Sequence, residues 1–292
     1  MAKVKHVIIG CGDVGRRIAA QLITKGEDPL SILGIVQSRE SAINCANLGI
    51  DVERLDFDQT DFLLSQLDQA NCYYLVPPQK SNHIDLRSRS ALANMDKSDI
   101  KPNKVVLIST TGVYGDCAGE WVTEQNDPNP KTERGQRRLD AETQWSTWAN
   151  TKKVDYVILR VPGIYARSRI PRKRIEQGIP VVRASECGYT NRIHADDLAR
   201  ISIAAMQNSV TDEIYNATDG VPGKITEYLQ AAAAELKLAM PPEISMQEAR
   251  TTLSAGMLSY LGESRKISNK KMLAELKVTL HYPNFRQGLK SG

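Results

Sequence analysis

The stretch "VIIGCGDVGRRIAAQL", residues 7–22, decides the fold of this chain. It opens with three β-branched residues, which favour a strand. Glycines then recur with the spacing G-x-G-x-x-G, and apolar residues return at every fourth position, which is the spacing of one face of a helix. The stretch therefore predicts a strand, a glycine turn and a helix, which is the context in which this glycine motif binds a dinucleotide.

Each glycine of the motif has its own expected role. Gly10 permits the tight turn, Gly12 lets the backbone approach a diphosphate, and Gly15 lets the helix pack close to the strand. The helix begins near Asp13 and Val14, so its free N–H groups can receive phosphate oxygens. We expect these five residues to bind the dinucleotide. The alternative is a tight turn between strand and helix that holds no ligand.

The second strand, predicted over residues 31–38, bears on which dinucleotide is bound. Enzymes that use NAD usually place an acidic residue at the end of this strand, on the ribose 2′-hydroxyl. Here Gln37 and Ser38 stand there, and Arg39 follows with a guanidinium suited to a 2′-phosphate. This favours NADP, although Glu40 keeps NAD open. The alternative for Arg39 is a solvated loop residue.

Composition excludes several classes of protein. The chain has 292 residues, of which 41% are hydrophobic and 25% are charged, as in ordinary soluble domains. Its net charge of +4 is too small to indicate nucleic acid binding. The five cysteines and four histidines lack the spacing of a metal site or a disulfide framework. No signal peptide or membrane-spanning run is found, so we expect a cytoplasmic protein without a metal or membrane partner.

Further along the chain, short apolar runs alternate with polar segments that are compatible with helices. The runs cover residues 73–76, 105–108 and 154–159. Strands alternating with helices predict an α/β fold, with a parallel sheet and helices on both faces. Prolines, glycines and basic residues become frequent after about residue 160, which predicts a second, smaller region in the C-terminal part.

The predicted strand over residues 105–108 ends in an unusual way. In "VLISTTGVYGD", residues 106–116, the apolar run stops at three hydroxyl residues, Ser109, Thr110 and Thr111. Hydroxyls at the carboxyl end of a parallel strand lie where α/β folds bind their ligands. We therefore expect one of them to face a functional cleft.

Taken in order, these motifs resemble the extended short-chain dehydrogenase/reductases, which include nucleotide-sugar epimerases and dehydratases. The similar segments are "GCGDVG" (10–15), "LDFDQTD" (55–61), "LVPP" (75–78), "STTGVYGD" (109–116), "LRVPGIYARSR" (159–169) and "NRIHADDLAR" (191–200). The resemblance implies a Rossmann-type, doubly wound parallel sheet over residues 1–160. It implies a smaller substrate lobe over residues 161–292, with some segments returning to the sheet, and it makes a homodimer the usual assembly.

The resemblance also implies further contacts with the coenzyme. The "LDFDQTD" turn would lie beside the adenine, the end of the fourth strand beside a ribose, and the "LRVPGIYARSR" segment beside the nicotinamide. The residues implied are Asp56, Phe57, Val76, Pro77, Pro162, Gly163 and Ile164.

The catalytic positions depart from the family. The family uses a Ser or Thr at the end of the fifth strand and a Tyr-x-x-x-Lys pair on the next helix. Thr110 stands at the hydroxyl position, but Arg134 replaces the tyrosine and Arg138 replaces the lysine. Arginine stays protonated, so Arg134 cannot act as a general acid or base. Arg138 can still bind the coenzyme ribose or a phosphate, and Thr110 would orient the substrate.

Other tyrosines at strand ends could take over the proton transfer. Tyr74, Tyr114 and Tyr165 are the candidates. In the family, the residue at the position of Tyr114 normally packs against or walls the substrate. The sequence does not identify the proton donor.

Cations in the C-terminal part suggest how a substrate is held. Arg167 and Arg169 belong to a run of five cations in eight residues, which is either an anion clamp or a solvated basic loop. Arg192 is expected to face the cleft. The neighbouring Asp196 and Asp197 are expected to be structural, with one of them capping a helix.

Two functions of different classes follow. The first is an NAD(P)-dependent enzyme of the epimerase, dehydratase or reductase type, acting on an anionic small molecule such as a nucleotide sugar. The second is a non-catalytic NAD(P)-binding protein that serves as a redox sensor or regulatory partner. The absent tyrosine favours the second, and the substrate-side motifs favour the first.

Overall fold

The structure is a computed structural model that describes residues 3–59 and 62–290. Its strands are β1 (His6–Ile9), β2 (Ile32–Val36), β3 (Asp51–Arg54), β4 (Asn71–Tyr74), β5 (Lys104–Thr110), β6 (Trp121–Val122), β7 (Asp155–Val161), β8 (Gly163–Tyr165), β9 (Val181–Val182), β10 (Arg192–His194), β11 (Glu213–Asn216), β12 (Glu243–Ile244) and β13 (Lys266–Ile267). Its helices are α1 (Asp13–Thr24), α2 (Arg39–Ala46), α3 (Leu86–Lys97), α4 (Glu133–Lys152), α5 (Arg172–Glu176), α6 (Ala195–Gln207), α7 (Ile225–Glu235), α8 (Met246–Thr252), α9 (Ala255–Leu261), α10 (Lys270–Leu276) and α11 (Phe285–Gly288).

The main sheet has seven strands in the order β3-β2-β1-β4-β5-β7-β11, and all neighbours are parallel. The chain winds from β1 towards β3, then returns across β1 and winds the other way from β4. This is the predicted doubly wound α/β fold of the Rossmann type, which is confirmed. Such folds bind ligands outside the carboxyl ends of the strands, where the winding reverses, and here that point lies between β1 and β4.

Two hydrophobic layers cover the sheet. Strand β1 is buried along its whole length because helices shield both of its faces. One layer packs α1 and α6 on the sheet, and the other packs α3 and α4. Trp145 and Trp148 are buried in the second layer. Their indole N–H groups donate to Ser88 Oγ at 3.2 Å and to Asp96 Oδ1 at 2.8 Å.

The C-terminal part of the chain contributes to the main sheet and to smaller ones. Strand β11 extends the main sheet beside β7. The two-stranded sheets pair β10 with β8, β12 with β9, and β13 with β6. The proposed boundary at residue 160 falls inside β7, and the division into two domains remains a prediction. Within the described ranges, no helix has the length and apolar composition needed to cross a bilayer.

The start of α6 differs from the prediction that Asp196 or Asp197 caps it. The N-cap is His194, whose Nδ1 accepts the Asp196 backbone N–H at 3.2 Å. The fully buried Asp197 carboxylate instead accepts the backbone N–H groups of His281 and Tyr282, at 2.9 and 2.8 Å. The cap prediction was wrong because Asp197 anchors a segment more than 80 residues away in the chain.

Candidate functional site

The glycine turn between β1 and α1 has room for a ligand at one position only. Gly10 has φ +82°, and a Cβ there would lie 3.0 Å from the main chain of residues 75–76. At Gly15, a Cβ would lie 3.0 Å from Ile8 Cγ2. At Gly12, the nearest atom would be the Gly10 carbonyl oxygen at 3.9 Å. The fold therefore requires Gly10 and Gly15 to be glycine, whereas Gly12 leaves open space beside the start of α1.

The N-terminus of α1 faces that space. Gly12 is the N-cap residue and has no side chain with which to cap the helix, so the first-turn N–H groups near Asp13 and Val14 remain available. The Asp13 carboxylate accepts hydrogen bonds from Arg17 Nε at 3.2 Å and from Arg169 Nη1 at 3.0 Å. Burial alone would raise the pKa of Asp13, but the two guanidiniums outweigh it and hold this pKa below its usual value. Arg169, predicted to contact the substrate, thus lies beside the glycine turn.

A small apolar cavity of about 130 Å³ lies next to the turn, above the ends of β2 and β4. Four of the predicted coenzyme residues line it, namely Gly10, Phe57, Val76 and Pro77. Asp56 lies close by, where its carboxylate accepts Gln37 Nε2 at 2.9 Å. The last two residues of the "LDFDQTD" segment, 60 and 61, lie outside the described residues.

Arg87 also lines this cavity, and the sequence analysis missed it. It donates to both carboxylate oxygens of Asp58 at 2.6 Å and to the Pro77 carbonyl at 3.0 Å. Its position on α3, 29 residues from Asp58, gave no local signal.

Arg39 is the first residue of α2, whose N-cap Ser38 accepts the Ser41 backbone N–H at 3.1 Å. The Arg39 side chain is exposed and forms no hydrogen bond or ion pair within the part of the chain that the structure describes. Its guanidinium is therefore available near the end of β2, and its role towards a 2′-phosphate stays a prediction.

A cleft of about 490 Å³ opens at the carboxyl ends of β5 and β7. Seven of the predicted site residues line it, namely Pro77, Thr110, Arg134, Arg138, Pro162, Gly163 and Ile164. Gly135 explains how α4 approaches Thr110, because a Cβ at Gly135 would lie 2.9 Å from the Gly112 carbonyl oxygen. Arg134 and Arg138 are one helical turn apart and face the same cleft.

The two arginines of the cleft differ in their surroundings. Arg138 is half-buried and donates from Nη1 to the Val76 carbonyl at 3.1 Å. Burial lowers its pKa, and the nearby Asp85 carboxylate only partly opposes this effect. Arg134 is exposed and has no hydrogen-bond partner among the described residues. Both guanidiniums can therefore donate hydrogen bonds to an anionic ligand.

Further cations line the same cleft, and the sequence analysis missed them. They are Lys80, Arg137 and Arg265, and Glu263 is the one acidic residue lining the cleft in the described part of the chain. The Glu263 carboxylate is already paired with Arg265 at 2.7 Å. Lys80 directly follows the "LVPPQ" segment, but Arg265 comes from a distant segment that carries no recognisable motif. The cleft is therefore positively charged.

A buried polar network lies beneath the cleft. Ser109 Oγ donates to Glu142, and Glu142 pairs with Arg160 at 2.7 Å. The Arg160 guanidinium lies 4.7 Å from the ring centroid of Tyr114, whose hydroxyl donates to Asn216 Oδ1 at 2.9 Å. Tyr114 is only 2% exposed and does not line the cleft, so its suggested contact with the substrate remains a prediction.

None of the three tyrosines considered as proton donors lines the cleft. Tyr74, Tyr114 and Tyr165 are all buried, and burial raises the pKa of each above its ordinary value. The tyrosines that line the cleft are Tyr189 and Tyr260, from the C-terminal part of the chain. Sequence reasoning missed both, because neither lies in a recognised motif.

The expectation that Arg192 faces the cleft was wrong, because its side chain is buried among aromatic rings and does not line the cleft. It is 4% exposed, and its guanidinium lies over the rings of Tyr228 and Phe285, 4.6 and 5.3 Å from their centroids. It donates to Thr190 Oγ1 at 3.0 Å. Arg167 lies at the surface in an ion pair with Glu235, at 2.9 Å. Their roles in binding a substrate remain predictions.

Asp219 lies near Arg192, and its buried carboxyl allows a prediction about pH. Burial raises the pKa of Asp219 to about 7. Since this value exceeds the unfolded one, the folded state holds the proton more tightly, and stability falls as pH rises from about 4 to about 7. We expect Asp219→Asn to raise the free energy of unfolding by about 4 kcal/mol at about pH 8, and by about 1–2 kcal/mol at about pH 5, because each unit of pKa difference contributes about 1.4 kcal/mol. Thermal unfolding at both pH values measures this difference. The exposed Asp127→Asn is the control, and equal pH dependence in all three proteins would contradict the prediction.

Known proteins resemble this chain in sequence and in structure. The sequence model of the NAD dependent epimerase/dehydratase family matches residues 7–218. An uncharacterized protein of Sinorhizobium fredii, y4nG, is 29% identical over 168 residues. That match covers 55% of this chain but only 42% of the length of y4nG.

Solved structures resemble the chain along nearly its whole length. A functionally unknown conserved protein from Silicibacter pomeroyi has a TM-score of 0.81 and 25% identity, covering 98% of this chain and 96% of that one. The UDP-glucose 4-epimerase of Thermotoga maritima, solved with UDP-glucose, has a TM-score of 0.78 at 16% identity, with the same coverage. At this identity, the likeness to the epimerase concerns the fold alone.

Proposed function

The chain belongs to the NAD-dependent epimerase/dehydratase family, and on that premise we propose that it is an NAD(P)-dependent enzyme acting on an anionic small molecule, such as a nucleotide sugar. One observation carries this proposal. The cleft at the carboxyl edge of the sheet brings the Thr110 hydroxyl together with the Arg134 and Arg138 guanidiniums, beside the cavity that adjoins the glycine turn.

The residues around the turn suit a nicotinamide dinucleotide. The open space at Gly12 and the free N–H groups of α1 would hold its diphosphate, and the cavity at Phe57 would hold its adenine. Pro77 lines both the cavity and the cleft, so the two adjoin along the sheet edge. When bound, the coenzyme would accept a hydride from the substrate or donate one to it. Arg138 would hold a coenzyme ribose or phosphate oxygen from the side of the cleft.

The charge of the cleft supports an anionic substrate. Five cations and one carboxylate line it among the described residues, and that carboxylate is already paired with Arg265. Uncompensated charges in a partly dehydrated cleft attract an anion more strongly than charges in bulk water. The planar guanidiniums of Arg134 and Arg138 offer parallel donors that match a carboxylate or a phosphate. Thr110 would orient the substrate between them.

Direct binding and turnover test the proposal. NADH and NADPH are titrated against the protein, and the oxidised coenzymes are then incubated with UDP-sugars and with smaller phosphorylated or carboxylated alcohols. We expect dissociation constants well below the millimolar range for the coenzymes. We also expect at least one anionic compound either to reduce the coenzyme or to be epimerised. If neither coenzyme binds below about millimolar concentration, the proposal is wrong.

We also propose that NADP is the preferred coenzyme, because the exposed Arg39 guanidinium is free near the end of β2. Arg39→Ala is expected to weaken NADPH binding about tenfold, the effect of losing one charge-assisted hydrogen bond. NADH lacks the 2′-phosphate and is the internal control. An equal loss of affinity for both coenzymes would contradict the assignment of Arg39.

The second candidate is a non-catalytic NAD(P)-binding sensor or regulatory protein. It is favoured by Arg134, which cannot transfer a proton, and by the burial of Tyr74, Tyr114 and Tyr165 away from the cleft. A sensor would bind reduced and oxidised coenzymes with different affinities and would turn over no compound of the substrate panel. An enzyme would turn over at least one.

A further inference from the structure

A cluster of four charged side chains joins α1 to the C-terminal part of the chain. Arg17 lies at its centre, with Asp13 on one side and Asp196 on the other. Arg17 Nη2 also donates to Ser168 Oγ at 3.2 Å. Arg169 completes the cluster through its contact with Asp13 at 3.0 Å. Segments more than 150 residues apart in the chain therefore meet at the start of α1.

The two arginines of this cluster differ in how many of their nitrogen atoms form hydrogen bonds. Arg17 engages Nε, Nη1 and Nη2, which are all of its nitrogen positions. Arg169 forms one hydrogen bond, from Nη1 to Asp13, within the described part of the chain, and its side chain is 37% exposed. A guanidinium carries five N–H donors, so most of those of Arg169 remain available. They lie next to the first residue of α1, beside the open space at Gly12.

The other arginines of the basic run have different partners. Arg167 pairs with Glu235 on α7, and Arg172 pairs with Glu176 on its own helix. Of the ion pairs formed by this run in the described residues, the one from Arg169 reaches the glycine turn. Position therefore distinguishes Arg169 from a cation of a solvated basic loop.

We propose that Arg169 binds the diphosphate of the dinucleotide at the N-terminus of α1, and that Asp13 holds its guanidinium ready in the free protein. This inference rests on the proposed function, because it needs a dinucleotide at the glycine turn. It assigns to the coenzyme a residue for which the sequence indicated a substrate contact.

Fragments of the coenzyme test the proposal without any substrate. ADP-ribose carries the diphosphate and adenosine does not. We expect Arg169→Ala to weaken the binding of ADP-ribose about tenfold, as the loss of one charge-assisted hydrogen bond predicts. The binding of adenosine should be unchanged. Arg169→Lys should retain part of the affinity. Arg172→Ala, from the same basic run, should bind both fragments as the parent protein does.

The outcomes separate the inference from the function on which it rests. If the parent protein binds neither NADH nor ADP-ribose, the proposed function fails. If the parent protein binds both and Arg169→Ala binds ADP-ribose as tightly as Arg172→Ala does, only the inference is overturned. Thermal unfolding of each variant verifies that it is folded.

A double substitution distinguishes contact with the diphosphate from an indirect effect. Removing Arg169 also leaves the Asp13 carboxylate less neutralised, and this carboxylate would then repel a diphosphate. In an Asp13→Asn background that repulsion is absent. The tenfold loss caused by Arg169→Ala should persist there if the guanidinium contacts the diphosphate. Disappearance of the loss would overturn the proposal.

Discussion

Alanine at Gly12 is expected to abolish dinucleotide binding while leaving the fold intact. A Cβ at this position would have no protein atom closer than 3.9 Å apart from those of its chain neighbours, and the residue has a negative φ of −78°. The same Cβ would stand where a diphosphate must approach the backbone at the start of α1. Losing two charge-assisted hydrogen bonds would weaken the binding of NADH and NADPH about 100-fold or more. Titration by coenzyme fluorescence measures the loss.

Two other glycines provide controls for this variant. Gly256→Ala, on α9, introduces a Cβ with no neighbour within 4 Å, so it should leave binding unchanged and should not destabilise the fold. Gly15→Ala should instead destabilise the fold, because its Cβ would lie 3.0 Å from Ile8 Cγ2. A Gly12→Ala protein that binds NADPH as tightly as the parent would show that no coenzyme approaches this glycine.

Alanine at Glu142 is expected to lower the free energy of unfolding by about 3–5 kcal/mol. The ion pair between Glu142 and Arg160 is buried on both sides, with side chains 4% and 3% exposed. Removing the carboxylate leaves the Arg160 guanidinium charged and dehydrated, and leaves Ser109 Oγ without its acceptor. Urea unfolding followed by circular dichroism measures the loss.

The matched control is an ion pair at the surface. Glu176→Ala breaks the exposed pair with Arg172 on α5, which should cost less than about 1 kcal/mol. A loss at Glu142 no larger than that at Glu176 would mean that Arg160 finds another partner or reaches water. Either result would contradict the buried network described beneath the cleft.

The interior of the sheet could be predicted from the sequence, but its edges could not. Strands β1, β2 and β5 are buried by helices on both faces, so they appear as apolar runs. Strands β3 and β11, which read DVER and EIYN, were missed. They lie at the two edges of the sheet, where fewer buried positions demand apolar residues.

In the candidate site, residues in local motifs could be predicted, whereas residues from distant segments could not. The glycine turn, Thr110 and the Arg134/Arg138 pair lie in motifs with fixed spacing, and the structure places them along one edge of the sheet. Arg265 and Tyr189 also line the cleft, but they arrive from segments whose approach depends on tertiary packing. Such contacts leave no pattern in the neighbouring sequence.

Helix α4 has a further consequence for how this protein could diverge from its relatives. The helix is 20 residues long, about 30 Å, and its two ends serve different purposes. Arg134 and Arg138 face the cleft near one end, whereas Glu142, Trp145 and Trp148 are buried in the interior further along. Substitution of the exposed Arg134 therefore alters the chemistry offered to a ligand at little cost in stability. The reactivity of the cleft can therefore change in evolution while the buried part of α4 and the fold stay the same.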